Sequence, residues 1–356
     1  MKKVILLFVI FCLVGCNDNK YINNKELEKK EEVKEEIVEK ELTIEDYQNN
    51  KVDELGEVPI MMYHGIQDKK NSDTNYTGGN IDKDGYQRTK EAFINDLEFY
   101  YNNEYRMIRL TDYIDGNINV ELGKSPIILT FDDGLSNNMK VNGVDEEGNL
   151  IIDPNCAVGI LEAFKEKYPD YNVTATFFIN GGLFNQVEYN EKIINWLIEN
   201  GYDIGNHTYS HVNFIKVNSL ETQKEVGKLY ETLESIIPNK YVNIIALPFG
   251  SPYSINHENM KYIFNTTYNG KTYESKAALR VGWKAESSPF HADFNSKFLK
   301  RIRAYDNNGA EFDIEMNFKL LEETRYISDG NIEKIVIPEK KINLIKELYN
   351  KKLISY

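Results

Sequence analysis

The stretch Ile127-Ile128-Leu129-Thr130-Phe131-Asp132-Asp133-Gly134 is an apolar run that ends in two adjacent carboxylates and a glycine. A short apolar run of this kind predicts a buried strand. Ligands of parallel α/β sheets bind beyond the carboxyl ends of the strands, so Asp132 and Asp133 stand where a functional site is expected. Neighbouring carboxylates repel each other, and a bound cation or a shared proton relieves that repulsion. An ordinary Asp-Asp-Gly turn is the simpler explanation of this motif taken alone.

A second motif, His207-Thr208-Tyr209-Ser210-His211, follows another predicted strand. Histidines four residues apart on a helical turn face the same way and can bind one divalent ion. The chain has only five histidines, although a surface pair explains this motif alone equally well. Combined, one aspartate and two histidines are the ligands of a catalytic metal site, since a structural site needs a fourth protein ligand.

The residues around both motifs alternate strand-like and helical patterns, which predicts an α/β domain over residues 57–305. The predicted strands are Val58–Tyr63, Pro126–Phe131, Val173–Ile179, Tyr202–Asn206, Asn243–Phe249 and Ala278–Trp283. The predicted helices are Glu91–Asn102, Cys156–Tyr168, Glu191–Asn200 and Ser219–Ile236. Residues 306–356 are predicted to form a C-terminal helix and hairpin extension packed on this domain, with Arg325–Ile327 and Ile332–Ile337 as the hairpin arms.

The first 56 residues predict an export signal and a tether. Residues 1–15 contain two lysines followed by eleven apolar residues, a run shorter than the roughly 20 that span a bilayer. Leu13-Val14-Gly15-Cys16 resembles a bacterial lipobox, which implies lipid anchoring at Cys16 and a location outside the cytoplasm on the bacterial cell membrane. An ordinary secretory signal or a short uncleaved anchor is the alternative. Residues 16–56 are rich in Lys, Glu and Asn, which predicts a charged flexible tether.

The composition excludes several classes of protein. A formal charge of −14, with no basic stretch to offset it, argues against nucleic acid as a partner. Three cysteines are too few for a disulfide framework and lack the paired spacing of a thiolate zinc site. Any metal must therefore be held by nitrogen and oxygen ligands.

The two motifs resemble those of the NodB-type polysaccharide deacetylases of carbohydrate esterase family four. The resemblance extends more loosely from about Val58 to Arg303, and includes Val173–Ile179 and Met62-Tyr63-His64-Gly65. It implies a distorted (β/α) barrel. It also implies that Asp132 is the general base. The base would act beside one divalent metal ion held by Asp133, His207 and His211. Zinc is the expected ion, with cobalt or nickel as alternatives.

The third motif of the family is only partly matched by Ala246-Leu247-Pro248-Phe249-Gly250. The resemblance assigns the backbone N–H of Phe249 to the oxyanion, but Ala246 replaces the arginine that orients the base. Arg301 and Arg303 are candidates for that role because they follow the last predicted strand, although surface arginines on a helix are an equally simple explanation.

The fourth and fifth motifs of the family are weaker still. Trp283 stands without its usual aspartate and could wall the pocket for the acetyl methyl group, or be a core tryptophan. No Leu-x-His supplies the general acid. His64, which ends the strand Val58–Tyr63, is favoured for that role over His291, and a loop histidine bonded to backbone is the plain alternative.

The resemblance implies a metal-dependent hydrolase that removes N-acetyl groups from N-acetylglucosamine units. For an enzyme tethered outside the membrane, the expected partner is peptidoglycan or poly-N-acetylglucosamine. Two alternatives stay open: an O-acetyl esterase using the same site, and a catalytically silent glycan-binding relative. The second is suggested by Ala246 and by the missing fourth-motif aspartate.

Overall fold

Residues 41–356 are described by the computed structural model of the protein, and Leu42–Tyr356 form one compact unit. The predicted signal and residues 16–40 of the predicted tether lie outside the described residues. Within the described part, no helix combines the length and the apolar character required to cross a membrane.

The central sheet contains eight strands that all pair in parallel. In chain order they are β1 (Ile60–Tyr63), β2 (Tyr105–Met107), β3 (Ser125–Asp133), β4 (Thr176–Ile179), β5 (Asp203–Asn206), β6 (Ile244–Ala246), β7 (Ala277–Leu279) and β8 (Ile302–Arg303). Their order in the sheet is β7-β6-β5-β4-β3-β1-β8, with β2 paired to the first part of β3. A parallel bridge joins Leu279 of the edge strand β7 to Leu299, three residues before the other edge strand β8, so the sheet is curled and the predicted distorted barrel is confirmed.

Strand β3 shows why an apolar run forms the centre of this sheet. Ile127, Leu129 and Phe131 pack in one hydrophobic cluster, while Ile128 packs in another. Successive side chains of a strand point to opposite faces, and both faces of a parallel sheet are covered. Every apolar residue of β3 is therefore buried, and the strand ends in the two carboxylates of Asp132 and Asp133.

The four predicted helices are present within two residues of their predicted ends. In chain order the helices are α1 (Ile44–Asn49), α2 (Lys90–Asn102), α3 (Leu110–Ile114), α4 (Ala157–Lys167), α5 (Asn190–Glu199), α6 (Ser219–Ile236), α7 (Met260–Phe264) and α8 (Ile314–Thr324). Helix α6 begins after Asn218, whose side chain accepts hydrogen bonds from the N–H groups of Leu220 and Glu221. Leu229 and Leu233 are buried on its inner face, while Leu220 is exposed.

Shorter pairings lie around this framework. The antiparallel ones join Glu57–Val58 to Glu286–Ser287, Val141–Val144 to Leu150–Ile152, and Asn265–Tyr268 to Lys271–Glu274. The parallel ones join Ile66–Gln67 to Arg88–Thr89, and Lys334–Ile337 to Lys352–Ser355. The hairpin at Val141–Ile152 is inserted between β3 and α4, on the side of the sheet where the strands end.

The predicted end of the tether at residue 56 is wrong, because residues 42–56 belong to the folded unit. Helix α1 is closed at its start by a capping box between Thr43 and Asp46. Tyr47 and Val52 are buried against Val336 near the C-terminus. The segment is mostly charged, so its composition did not indicate folding. Its few apolar residues are buried against residues almost 300 positions further along the chain.

The predicted C-terminal hairpin is also wrong, although helix α8 is present. Ile327 forms an antiparallel bridge with Asp53 instead of pairing with the second arm. The second arm, Lys334–Ile337, pairs in parallel with Lys352–Ser355. The two predicted arms therefore do not pair with each other. Backbone groups of both arms bond instead to the folded 42–56 segment, through Asp53 to Ile327 and through Glu54 N–H to the Val336 carbonyl.

Glu54 joins the N-terminal segment to this C-terminal region. Its Oε1 accepts hydrogen bonds from the Tyr326 hydroxyl at 2.9 Å and from Asp329 N–H at 3.2 Å, and its Oε2 accepts one from Val336 N–H at 2.7 Å. Burial, together with the nearby Asp329 carboxylate, raises the pKa of Glu54 from 4.5 to about 8. Glu54 is therefore protonated in the folded protein near neutral pH.

We expect this carboxyl group to make folding stability fall as the pH rises from about 5 to about 8. In that range the folded chain binds one more proton at Glu54 than the unfolded chain, so raising the pH favours unfolding. The two pKa values correspond to at most about 5 kcal/mol. Urea unfolding at pH 5.5 and pH 8 measures the effect, and Glu54→Gln should reduce it. An equal pH dependence in Glu54→Gln and in Glu57→Gln, a control at a half-buried glutamate three residues along the chain, would contradict the assignment.

Candidate active site

A cavity of about 300 Å³ opens at the carboxyl ends of the strands. Strand β1 is followed there by His64, β3 ends in the two aspartates, and β5 is followed by the two histidines of the second motif. The cavity is lined by His64, Tyr86, Asp132, Asp133, His207, His211, Leu247, Phe249 and Val281. The parallel pairing of the strands thus brings both sequence motifs to one place.

Asp133, His207 and His211 form a cluster of three ligand atoms within 4.8 Å of one another. Asp133 Oδ1 lies 3.3 Å from Nε2 of each histidine. Ligand atoms at about 2.0–2.1 Å from a tetrahedral zinc ion are about 3.3–3.4 Å apart, so this spacing fits one ion. The residues therefore suit a divalent metal with open positions for water or substrate.

The backbone around these ligands is unusual. Asp133 has φ 76°, Thr208 has φ 63° and His211 has φ 53°, all in the left-handed region. The second motif follows β5 as irregular chain, so the predicted helical turn is wrong even though the two imidazoles do converge. Left-handed residues other than glycine cost about 1–3 kcal/mol each and concentrate at functional sites.

His207 is oriented by the strand next to its own. Its Nδ1 lies 2.9 Å from the carbonyl oxygen of Ala246, the last residue of β6. A hydrogen bond from Nδ1–H to this carbonyl places the imidazole proton on Nδ1. Nε2, which faces Asp133, then keeps the lone pair with which it can bind a metal. Ala246 therefore contributes to the site through its backbone, a role that its side chain gave no means of predicting.

Asp132 is held by Arg301 in a buried two-point ion pair. Nη1 of Arg301 donates to Oδ1 at 2.8 Å, and Nη2 donates to Oδ2 at 2.6 Å. Arg301 is completely buried and also donates from Nε to the carbonyl of Arg280 and from Nη1 to the hydroxyl of Thr130. Gly282 permits this packing, because a Cβ there would lie 1.7 Å from the Arg301 carbonyl oxygen. Of the two predicted arginine candidates, the structure places Arg301 against the aspartate.

The electrostatics of the cluster favour ionised carboxylates. Burial alone would raise the pKa of Asp132, but the Arg301 guanidinium and His207 hold it well below its usual range. Burial opposes ionisation of Asp133 as well, and the neighbouring His207 nevertheless lowers its pKa. Both aspartates are thus charged at neutral pH, one positioned by an arginine and the other by imidazoles.

His64 lies at the wall of the cavity. Its backbone carbonyl accepts a hydrogen bond of 2.6 Å from Asn138 Nδ2, and its ring meets Tyr86 edge-on at 4.9 Å between centroids. Its Nδ1 is buried, with no hydrogen-bond partner among residues 41–356. Burial lowers the pKa of His64, although the aspartates nearby partly offset this. Its ring lines the cavity that also contains both aspartates and both histidines of the two motifs.

His291 is not brought to the cavity, so the structure separates the two histidine candidates. The strand Glu286–Ser287 pairs with Glu57–Val58, which precedes β1, and this places the following loop at the amino end of the sheet. The backbone of His291 bridges to Ile345, and its Nδ1 accepts a hydrogen bond from Asp293 N–H at 3.1 Å. The predicted catalytic role of His291 is therefore wrong.

The remaining three candidates differ in position. Phe249 lines the cavity, has φ 59°, and places its ring 4.7 Å from that of His211. Trp283 is 39% exposed and packs on the Arg280 guanidinium, so it is neither a core residue nor part of the cavity lining. Arg303 contacts the rings of Tyr86 and Tyr305 and does not reach the aspartates.

Three lining residues were missed in the sequence. Leu247 and Val281 are apolar residues directly after β6 and close after β7, where proximity to a strand end could have indicated them. Tyr86 comes from the long polar segment between Ile66–Gln67 and Arg88–Thr89. A lone aromatic residue beside a glycine in such a segment carries little information, because only the folded path of the loop places it over His64.

Residues 119–268 match the family described as polysaccharide deacetylase. A peptidoglycan-N-acetylglucosamine deacetylase from Bacillus cereus is 34% identical over 113 residues, which are 32% of this chain and 32% of that protein. The match therefore spans about a third of the length of this curated relative. The structure of deacetylase PplD from Streptococcus pyogenes in complex with acetate has a TM-score of 0.51 at 17% identity, covering 73% of this chain and 97% of that one, and shows a shared fold. Both motifs lie inside residues 119–268, the region of this chain that matches the polysaccharide deacetylase family.

Proposed function

We propose that this protein is a metal-dependent hydrolase that removes N-acetyl groups from N-acetylglucosamine units of a cell-wall or extracellular polysaccharide. One observation carries the proposal: a three-ligand metal cluster and a separate, arginine-held carboxylate share one cavity. A binding-only domain needs no base beside its ligands. The Bacillus cereus relative bears the name of such an activity, and acetate, which is the acid product of deacetylation, is bound in the PplD structure.

The ligand set is Asp133, His207 and His211, and its mixed oxygen and nitrogen donors suit zinc, with cobalt or nickel as alternatives. When bound, such an ion lowers the pKa of a water molecule and polarises a carbonyl group. Asp132 accepts the proton that the attacking water loses. Arg301 keeps this carboxylate ionised and fixes both of its oxygens, so no reorientation is needed when the proton arrives.

The other side of the cavity serves the leaving group and the oxyanion. The backbone N–H of Phe249 stabilises the oxygen of the tetrahedral intermediate, a contribution commonly worth about 3–4 kcal/mol per donor. His64 delivers a proton to the departing amine, and the products are acetate and a glucosamine unit.

The site is expected to act outside the cytoplasm. The lipobox at Cys16 supports a lipid anchor to the bacterial cell membrane, with residues 17–40 as the spacer before the folded unit. Peptidoglycan and poly-N-acetylglucosamine are the N-acetylated glycans within reach of such an enzyme. Deacetylation of either one exposes amines and changes its charge.

The proposed reaction predicts equal amounts of acetate and free amine. Purified protein is incubated with N-acetylglucosamine oligomers and with cell wall, before and after chelator treatment and zinc restoration. We expect both products to appear together, to vanish with the chelator and to return with zinc. Acetate without amine would instead indicate the esterase. Retention of glycan with neither product would indicate the silent relative.

A comparison of two histidine variants tests the general acid. His64→Ala should lower kcat by roughly 10²–10⁴-fold, the usual contribution of a positioned proton donor. His291→Ala is the matched control and should keep wild-type turnover, because His291 lies at the other end of the sheet. Metal content measured on both variants separates loss of proton transfer from loss of the ion. Equal activity of the two variants would exclude His64 from this role.

A further inference from the structure

The start of the folded unit and the catalytic cavity lie at opposite ends of the central sheet. From Leu42 the chain runs through α1 and Val58 into β1, which ends at His64 in the cavity. The side chain of Asn50 lies next to Gly123, two residues before β3 begins, since a Cβ at position 123 would lie 3.2 Å from Asn50 Oδ1. The predicted tether therefore joins the folded unit at the amino end of the sheet.

Residues 338–352, here called the basic segment, cover the same end of the sheet. Ile345 forms an antiparallel bridge with His291, which lies at the amino end. The N–H of Lys346 donates to the Phe290 carbonyl at 2.8 Å in the same loop. The basic segment and the end of the tether thus belong to one face of the protein, and the cavity belongs to the opposite face.

The basic segment is positively charged in a strongly acidic chain. Its five lysines are Lys340, Lys341, Lys346, Lys351 and Lys352. Two glutamates accompany them, which leaves a formal side-chain charge of +3, whereas the whole chain carries −14. Lys341 is paired with Asp53, but Lys346 and Lys351 donate to backbone carbonyls and so keep their charge. This face therefore attracts anions that the rest of the protein repels.

Two apolar side chains of the basic segment remain in contact with solvent. Ile345, Leu348 and Tyr349 pack against a hydrophobic cluster and hold the segment on the domain. Ile342 and Leu344 do not join them and are 40% and 41% exposed. Apolar residues interspersed with lysines are typical of surfaces that lie in the headgroup region of a bilayer, where the lysines reach the phosphates.

The predicted anchor keeps this face near a membrane. About 25 residues, 17–41, separate Cys16 from Leu42, so the chain between them spans at most about 90 Å. Binding of the face to the bilayer is then an intramolecular step at high effective concentration, for which a weak interaction is sufficient. A polybasic patch commonly supplies the second membrane signal of a lipidated protein.

We propose that the basic segment is a docking surface for anionic phospholipid headgroups, and that this docking turns the catalytic cavity away from the membrane. The inference rests on the lipid anchor of the proposed function and adds the orientation of the anchored enzyme. Ile342 and Leu344 enter the headgroup layer, and the lysines lie against the phosphates. The carboxyl end of the sheet, with the cavity, then faces the polysaccharide outside.

Hydrogen exchange on membranes tests this orientation. The lipidated full chain is reconstituted in vesicles of phosphatidylcholine alone, or of phosphatidylcholine mixed equally with phosphatidylglycerol. We expect exchange in residues 338–352 to slow by about fivefold or more on the anionic vesicles, and to recover at high salt. Residues 68–87, which bring Tyr86 to the cavity, should exchange equally on both kinds of vesicle.

Two triple variants with the same change of charge separate the two faces. The test variant carries Lys340→Gln, Lys346→Gln and Lys352→Gln, and the control carries Lys69→Gln, Lys70→Gln and Lys83→Gln. All six lysines are exposed, and the control set belongs to the loop beside the cavity. The test variant should lose the slowing on anionic vesicles, and the control should keep it. Both should release acetate from soluble oligomers like the wild type, because none of the six lines the cavity.

The other outcomes overturn the inference. Equal exchange of residues 338–352 on both kinds of vesicle would do so, and so would slowing in residues 68–87 instead. Slowing that depends on protein concentration without vesicles would indicate a second copy of the chain as the occupant. A purified chain without lipid at Cys16 would remove the anchor on which the inference rests.

Acetate release keeps the two proposals apart. A chain that docks on anionic vesicles but releases no acetate leaves the docking surface standing and removes the proposed reaction. A chain that releases acetate but shows no slowing on anionic vesicles leaves the reaction standing and removes the docking surface.

Discussion

Replacing Asp132 with asparagine should lower kcat on an N-acetylated glycan by roughly 10²–10⁴-fold without loss of the metal ion. The amide keeps the shape of the carboxylate but cannot accept the proton of the attacking water. The metal should stay, because the three ligand atoms belong to Asp133, His207 and His211. Acetate release and elemental analysis on the same preparation measure both effects.

The matched control for this variant is Asp133→Asn. The two aspartates are adjacent in the chain, yet Asp133 Oδ1 faces both imidazoles whereas Asp132 faces the arginine. Asp133→Asn should therefore lose metal and activity together, while Asp132→Asn loses activity alone. Sustained turnover by metal-loaded Asp132→Asn would remove Asp132 from the base role, and loss of metal from that variant would make it a ligand.

Replacing Arg301 with methionine should destabilise the protein by about 3–5 kcal/mol at pH 7, because the change leaves a buried carboxylate without its cation. Arg301 and Asp132 are both almost completely inaccessible to water, so solvent cannot replace the lost partner. Turnover should fall as well, since Asp132 loses both of its orienting hydrogen bonds. Urea unfolding and acetate release on the purified variant measure the two losses.

A double variant separates charge from packing. Asp132→Asn combined with Arg301→Met removes both charges and should recover much of the stability, with a coupling energy of about 1–3 kcal/mol, while remaining inactive. Arg303→Met is the control two residues along the strand. Its guanidinium contacts only aromatic rings among the described residues, so its loss should cost no more than about 1 kcal/mol. Additive losses in the double variant would show that the ion pair is not coupled.

The fold and the metal cluster could be predicted from local sequence because their signals are local. Strand β3 is a largely apolar run that is buried and ends at the two aspartates, and the buried strand β5 is followed directly by the polar second motif. Parallel strands place these ends at one edge, so one aspartate of the Asp132-Asp133 pair and the two histidines are predicted to meet there, and the family resemblance implies that this aspartate is Asp133. The helix starts were equally visible, as Asn218 before α6 shows.

The choices that stayed open depended on contacts distant in sequence. Arg301 and Arg303 share one face of an extended chain, and only the pairing of Ile302 with Met61 sets which of them reaches Asp132. The sequence favours His64 over His291, and the pairing of Glu286–Ser287 with Glu57–Val58 explains why His291 lies away from the cavity.

The sequence by itself determined the class of fold, the ends of its strands and the chemistry placed there. The reason is that a buried strand and its polar end form a pattern of consecutive residues, apolar ones followed by polar ones. Tertiary structure alone decided where the folded unit begins, how the C-terminal residues pair and which arginine holds the base. Val52 and Glu54 gain their partners from Val336 and Tyr326, far along the chain. Such contacts join residues that are far apart in sequence and form only in the folded chain, so no local sequence pattern predicts them.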